Sequence, residues 1–176
     1  MSAPIPARPA GARSIDEILM AARERLHRVT PTDAFGELGA GPVPGDGAVL
    51  VDEAVLVERA VLVDRAVLVD IRPASQRAVE GEVPGSWIIE RNHLEWRLDP
   101  ASPARLPWVS GYDHRVLVIC QEGYTSSLAA ASLLDLGLSR STDVIGGYHA
   151  WVAAGLPTAP ASAQAAFVAY GAVHAG

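Results

Sequence analysis

Cysteine is almost missing from this chain: Cys120 is alone in 176 residues. That excludes an intramolecular disulfide framework and any zinc site built from several cysteines. Positive charge is in deficit, with 14 basic residues against 20 acidic, a formal net charge of −6 and a pI near 5.3. Such a balance argues against a generic nucleic-acid or anionic-membrane surface. Long apolar runs are absent as well. The longest covers about six residues, where a membrane-spanning helix needs about 20. Prolines and arginines near the N-terminus stand without an apolar stretch, so no secretory signal is expected, and a reduced, cytoplasmic setting is. There is no P-loop and no dinucleotide-type glycine fingerprint. His27, His93, His114, His149 and His174 are scattered without metal-ligand spacing, so neither a metal nor a cofactor is expected.

What is present suffices for one domain: the length suits it, and 49% hydrophobic residues can supply a core. Residues 1–13 are rich in Pro, Ala and Gly and read as a disordered tail. Ser14-Ile15-Asp16-Glu17 reads as a capping box for an amphipathic helix over 15–28. Thr30-Pro31-Thr32-Asp33 opens a second short helix, and residues 39–47 form a loop. Ala-Val-Leu-Val then occurs four times, at 48–51, 54–57, 60–63 and 66–69. The period of six is even, so every copy shows the same faces along a strand, whereas on a helix no single stripe persists. The last copy precedes chemistry-bearing residues and is the expected core strand. The segment at about 48–65 reads as an insertion made by duplication, and helix, edge strand and loop all remain open for it.

Strand and helix patterns alternate beyond the repeat. Residues 86–89 and 115–119 read as strands, the second a continuous β-branched run suited to burial on both faces of a parallel sheet. Residues 92–98, 125–136 and 148–154 read as helices, 142–145 as a strand, and 99–114 as a loop carrying Trp108. This order implies an α/β domain over 14–157 with helices on both faces of a central parallel sheet, followed by an Ala-rich tail at 158–176.

Cys120 stands where strand 115–119 ends and Gln121-Glu122-Gly123-Tyr124-Thr125-Ser126 leads into a helix. Ligands of open α/β sheets bind at that end of the strands. A strand-to-helix loop turns backbone N–H groups inward, and the helix dipole adds to them, so a thiolate, a persulfide or a substrate oxyanion would be held there. A lone cysteine is more often a small buried hydrophobe, but a strand-end position before a glycine loop favours the nucleophile.

Four motifs now line up: Val-Asp70-Ile-Arg72-Pro; Gly81-Glu82-Val83-Pro84-Gly85-Ser86; Cys120-x-x-Gly123-x-Thr125-Ser126; and Gly146-Gly147-x-x-x-Trp151-x-x-x-Gly155-x-Pro157. In this order and spacing they resemble the rhodanese-like domain family, in particular its small single-domain members in high-GC bacteria. The resemblance implies a rhodanese-like α/β fold with a central parallel sheet. It also implies transfer of sulfane sulfur through a persulfide on Cys120, with residues 121–126 as the substrate-binding loop. By the same resemblance Asp70 holds the loop or a basic neighbour, Arg72 being the candidate partner. Two departures stand out. Thr125 occupies a position where an arginine is common, so the loop has no cation and instead contains the acid Glu122; and Glu82 stands where a histidine or similar residue is common. Arg91 and Arg97 are the candidates to bring positive charge from outside. The expected partners are a small sulfur donor, thiosulfate or a persulfide, and a thiol or cyanide acceptor, with a protein acceptor also open. No nucleic acid and no membrane is expected. The alternative is a non-catalytic rhodanese-like module that binds or carries sulfur. A phosphatase relative is disfavoured because the loop has no closing arginine.

Overall fold

A computed structural model describes residues 7–39 and 66–161. The first three Ala-Val-Leu-Val copies lie outside the described residues, as do residues 1–6 and the tail from 162 onward. Of the expected 1–13 tail, residues 7–13 are described, and Arg8 donates to Glu17 at 2.6 Å.

Helix α1 spans Ile15–Glu24, with Ser14 and Glu17 closing the expected capping box. It is shorter than the periodicity predicts. The chain turns at Arg25, whose N–H reaches back to Ala22 O, and this frees residues 26–29 for other partners. Leu26 enters the core, and Val29 forms a parallel bridge with Val144. Helix α2, Pro31–Leu38, starts from Thr30, whose side chain accepts from Asp33 N.

The remaining elements run β1 (Val67–Asp70), α3 (Ala74–Glu80), β2 (Trp87–Ile88), a 3-10 turn (Arg91–His93), α4 (Leu94–Leu98), β3 (Val116–Ile119), α5 (Thr125–Asp135), β4 (Thr142–Asp143) and α6 (Gly147–Ala153). The sheet order is β2-β1-β3-β4, and every pair is parallel. The fourth Ala-Val-Leu-Val copy supplies β1, paired with β3 in the register Val67↔Val116 to Asp70↔Ile119.

Both central strands are buried along their whole length, which is why they read as unbroken apolar runs rather than as alternation. Their side chains nevertheless divide between two faces. Val67, Val69, Val116 and Val118 pack with Leu26, Leu94, Leu98, Ala129 and Leu133 from the α1, α4 and α5 side. Leu68, Leu117 and Ile119 pack on the other face with Ala34 of α2 and with Tyr148 and Trp151 of α6. The expected α/β architecture, with helices on both faces of a parallel sheet, is what forms.

Helix α3 carries no signal in the sequence. Its apolar Val79 is 87% exposed while its Arg77 is buried, the inverse of an amphipathic pattern.

Candidate active site

Cys120 is the residue immediately after β3 and is 7% exposed. Its Sγ accepts backbone N–H bonds from Gly123 at 3.2 Å and from Ser126 at 3.3 Å, and its thiol donates to Ser126 Oγ at 3.2 Å. The loop therefore folds around the sulfur. Donors aimed at one point in a buried site favour the charged form of the group placed there.

Turning N–H groups inward turns carbonyls outward, and each buried carbonyl needs a donor. The Cys120 and Gln121 carbonyls accept from Tyr148 N at 2.8 Å and His149 N at 3.1 Å, in the first turn of α6. The Gly123 carbonyl accepts from Arg23 Nη2 at 2.8 Å, Arg28 Nη2 at 3.2 Å and Ser127 Oγ at 3.1 Å. This close approach explains two glycines. Gly147 has φ +61, and a Cβ there would lie 2.7 Å from Gln121 C. Gly123 has φ +78, and its Cβ would meet Gly146 N at 2.7 Å. No L side chain fits either place without moving backbone.

Behind Ser126 lies Asp143 of β4, fully buried. It accepts from Ser126 Oγ at 3.1 Å, Ser127 Oγ at 2.8 Å, and the Arg28 guanidinium through Nε at 2.8 Å and Nη2 at 3.0 Å. Arg23 completes the group, with Nε donating to Ser127 Oγ at 3.2 Å and its guanidinium 5.4 Å from the Tyr124 ring centroid.

On the other side, Asp70 and Arg72 form a fully buried pair, with Arg72 Nη2 and Asp70 Oδ2 2.7 Å apart. Arg72 also donates to Glu80 at 3.3 Å and lies 3.7 Å over the Tyr148 ring. Glu80 accepts from the Gln121 amide, with Gln121 Nε2 2.6 Å from Glu80 Oε2. The contacts run Asp70–Arg72–Glu80–Gln121, so the pair reaches the loop through Glu80. Glu122 is exposed, with a carboxylate oxygen 3.9 Å from His149 Nδ1.

Of the expected site residues, Cys120, Gln121, Glu122, Gly123, Tyr124, Thr125 and Ser126 come together in one loop. Thr125 is exposed and is the first residue of α5. Arg91 pairs instead with Glu95 on its own segment, at 2.8 Å. Arg97 is buried, donates to the Ala104 carbonyl at 2.8 Å, and has its pKa lowered by desolvation. Among the described residues, Arg23 and Arg28 are the arginines that touch the loop; sequence reasoning missed them, as it missed Asp143. One signal for Asp143 was available: an acid inside a buried strand requires a partner.

A family match decides the classification. The profile of the rhodanese-like domain covers residues 56–154, more than half of the chain. The chain belongs to the rhodanese-like domain family. Within it, thiosulfate sulfurtransferase 16, chloroplastic, of Arabidopsis thaliana is 42% identical over 48 residues, 27% of this chain and 40% of that protein. Thiosulfate sulfurtransferase GlpE of Actinobacillus succinogenes is 44% identical over 46 residues, 26% of this chain and 41% of that protein. The matches thus span about two fifths of the curated relatives. A solved protein of unknown function from Rhodopseudomonas palustris, described as a possible tyrosine phosphatase, superposes with a TM-score of 0.65 at 28% identity, covering 89% of this chain and all of that one. The polysulfide-sulfur transferase homodimer of Wolinella succinogenes shares the rhodanese-like fold at a TM-score of 0.53 and 20% identity, over 85% of this chain and 89% of that one.

Proposed function

We propose that this rhodanese-like protein is a sulfurtransferase that carries sulfane sulfur as a persulfide on Cys120. The observation that carries the reading is the pair of backbone N–H bonds from Gly123 and Ser126 converging on Sγ. They hold a charged sulfur in the thiolate before the reaction and again when the transferred sulfur has left. The donor is a small persulfide or thiosulfate and the acceptor a thiol or cyanide. The sulfurtransferase names of the partial relatives support the same class.

Incubation with thiosulfate or with a polysulfide, followed by intact mass spectrometry, should show a gain of about 32 Da on Cys120, the mark of a persulfide. Cys120→Ser should abolish it. A wild-type protein that gains no mass from either donor would leave the non-catalytic binding module as the better reading. The possible-phosphatase description of the Rhodopseudomonas palustris neighbour does not carry over well. Residues 120–126 contain no arginine to bind phosphate oxygens, and Arg23 and Arg28 are spent on the outward-facing Gly123 carbonyl.

A further inference from the structure

We infer that Ser126 is a catalytic hydroxyl whose single proton alternates between Asp143 and Cys120 Sγ, and that Asp143, clamped by Arg28, is the positioning residue that governs the exchange. The inference rests on the persulfide reading of Cys120 and adds to it the group that follows the sulfur's charge.

The hydrogen-bond inventory leads to it. A hydroxyl has one proton and two lone pairs. With Cys120 as a thiol, Sγ–H donates to Ser126 Oγ at 3.2 Å, and Ser126 donates onward to Asp143 Oδ2 at 3.1 Å. With Cys120 as a thiolate, the first donor is gone, and a charged acceptor stands within reach of the Ser126 proton. Turning the hydroxyl towards Sγ strands nothing. Asp143 Oδ2 keeps Ser127 Oγ at 2.8 Å and Arg28 Nη2 at 3.0 Å, and Oδ1 keeps Arg28 Nε at 2.8 Å. If Ser127 commits its proton to Asp143, the Gly123 carbonyl still has the two arginines. Both arrangements leave every one of these groups partnered, so the swing meets no orphaned buried atom.

The swing serves the chemistry at two points. In the first half-reaction the Cys120 thiolate attacks the outer sulfur of a donor R–S–SH. The Sγ–S bond forms, the S–S bond of the donor breaks, and R–S⁻ leaves with the electron pair. In the second, an acceptor thiolate R′–S⁻ attacks that same sulfur, the Sγ–S bond breaks, and its electron pair returns to Sγ. The sulfur is passed on without net oxidation or reduction. Sγ is fully charged before the first step and after the second, and there the hydroxyl faces it.

Cys120 is the chain's single thiol, so iodoacetamide alkylation followed by intact mass reads its thiolate directly. The charged and titratable groups facing the loop are Asp143 of β4, Arg23 and Arg28 of the N-terminal segment, Glu80 of α3, His149 of α6, and Glu122 itself. In Ser126→Ala the alkylation rate at neutral pH should fall roughly tenfold, and the whole pH profile should move upward, because a hydrogen bond to the charged form is lost. In Asp143→Asn the competitor for the proton is gone, and the profile should move downward. In the double variant that downward shift should shrink to less than half, since residues acting through one another are not additive. An unmoved profile in Ser126→Ala would overturn the inference. So would an Asp143→Asn shift of the same size in both backgrounds, which would mean that Asp143 acts by its field alone. Ser126→Ala leaves Asp143 three of its four donors, so this arm decides even if Asp143→Asn does not fold. Persulfide loading of the wild type is scored separately. No loading with a shifted Ser126→Ala profile removes the sulfurtransferase reading, whereas loading with an unmoved profile removes the hydroxyl exchange.

Discussion

Thr125 stands exposed at the start of α5, beside a sulfur that is negative when reactive. Thiosulfate is a dianion, and like charges about 4 Å apart repel by about 4 kcal/mol at an effective dielectric near 20. The inward N–H groups offset part of this, but Arg23 and Arg28 are bound to the outward Gly123 carbonyl, and Arg91 to Glu95. Thr125→Arg should therefore raise kcat/KM for thiosulfate by about tenfold, equivalent to about 1.4 kcal/mol, through a bidentate partner for the sulfonate end. Persulfide donors, less charged at the reacting atom, should gain less. Glu122→Gln should move thiosulfate turnover the same way by a smaller factor that shrinks as salt is added. Steady-state kinetics with both donors check this. A wild type that already prefers thiosulfate, with Thr125→Arg neutral, would refute the charge argument.

Among the elements, the turn from β4 into α6 bears most directly on the loop, because its backbone lies against that of Cys120 and Gln121. Gly147→Ala should cost about 2–4 kcal/mol, since it adds strain at a positive φ and forces the Gln121 backbone away. Thermal unfolding and persulfide loading should fall together; a variant that melts normally and loads normally would refute the contact. The repeat gives a milder expectation. Deleting residues 48–65 leaves the copy that forms β1 in register with β3, and shortening a connection changes closure entropy little. The melting temperature should shift by only a few degrees, and aggregation of the deletion would show that the repeat belongs to the sheet. Legibility in the sequence follows the same logic of elements. β1, β3 and α5 were readable because burial on both sides imposes unbroken apolar runs or small residues. The Cys120 loop was readable because motif order marks it. Helix α3 was not, because Arg77 is inside and Val79 outside, and that pairing is decided by Arg72 and the chain around it rather than by periodicity. Arg23 and Arg28 were not, because an arginine in or just after a surface helix looks the same whether or not a carbonyl about a hundred residues away will meet it.

At the scale of the whole molecule, acid should loosen the fold through His114. It is buried two residues ahead of β3, accepts from Ser110 N at 3.2 Å, and has its pKa lowered from 6.5, chiefly by desolvation. A histidine depressed in the folded state takes up its proton more readily when unfolded. Stability from this source is complete above the unfolded value near 6.5 and is lost as the pH falls towards the lower folded value. Melting temperatures measured downward from neutral pH should decline through that window, and His114→Gln should flatten this part of the decline. An unchanged slope would mean that other groups carry it.

The Arg28–Asp143 bond also orders events in time. Its partners are 115 positions apart in the chain, and translation proceeds at about 5–20 residues per second. During synthesis Arg28 therefore waits roughly 6–23 seconds for its carboxylate. Cys120 leaves the ribosome before Asp143, Tyr148 and His149, the groups that pin its loop. For the roughly 1–6 seconds that separate its emergence from theirs, the nascent thiol lacks the groups that pin its loop.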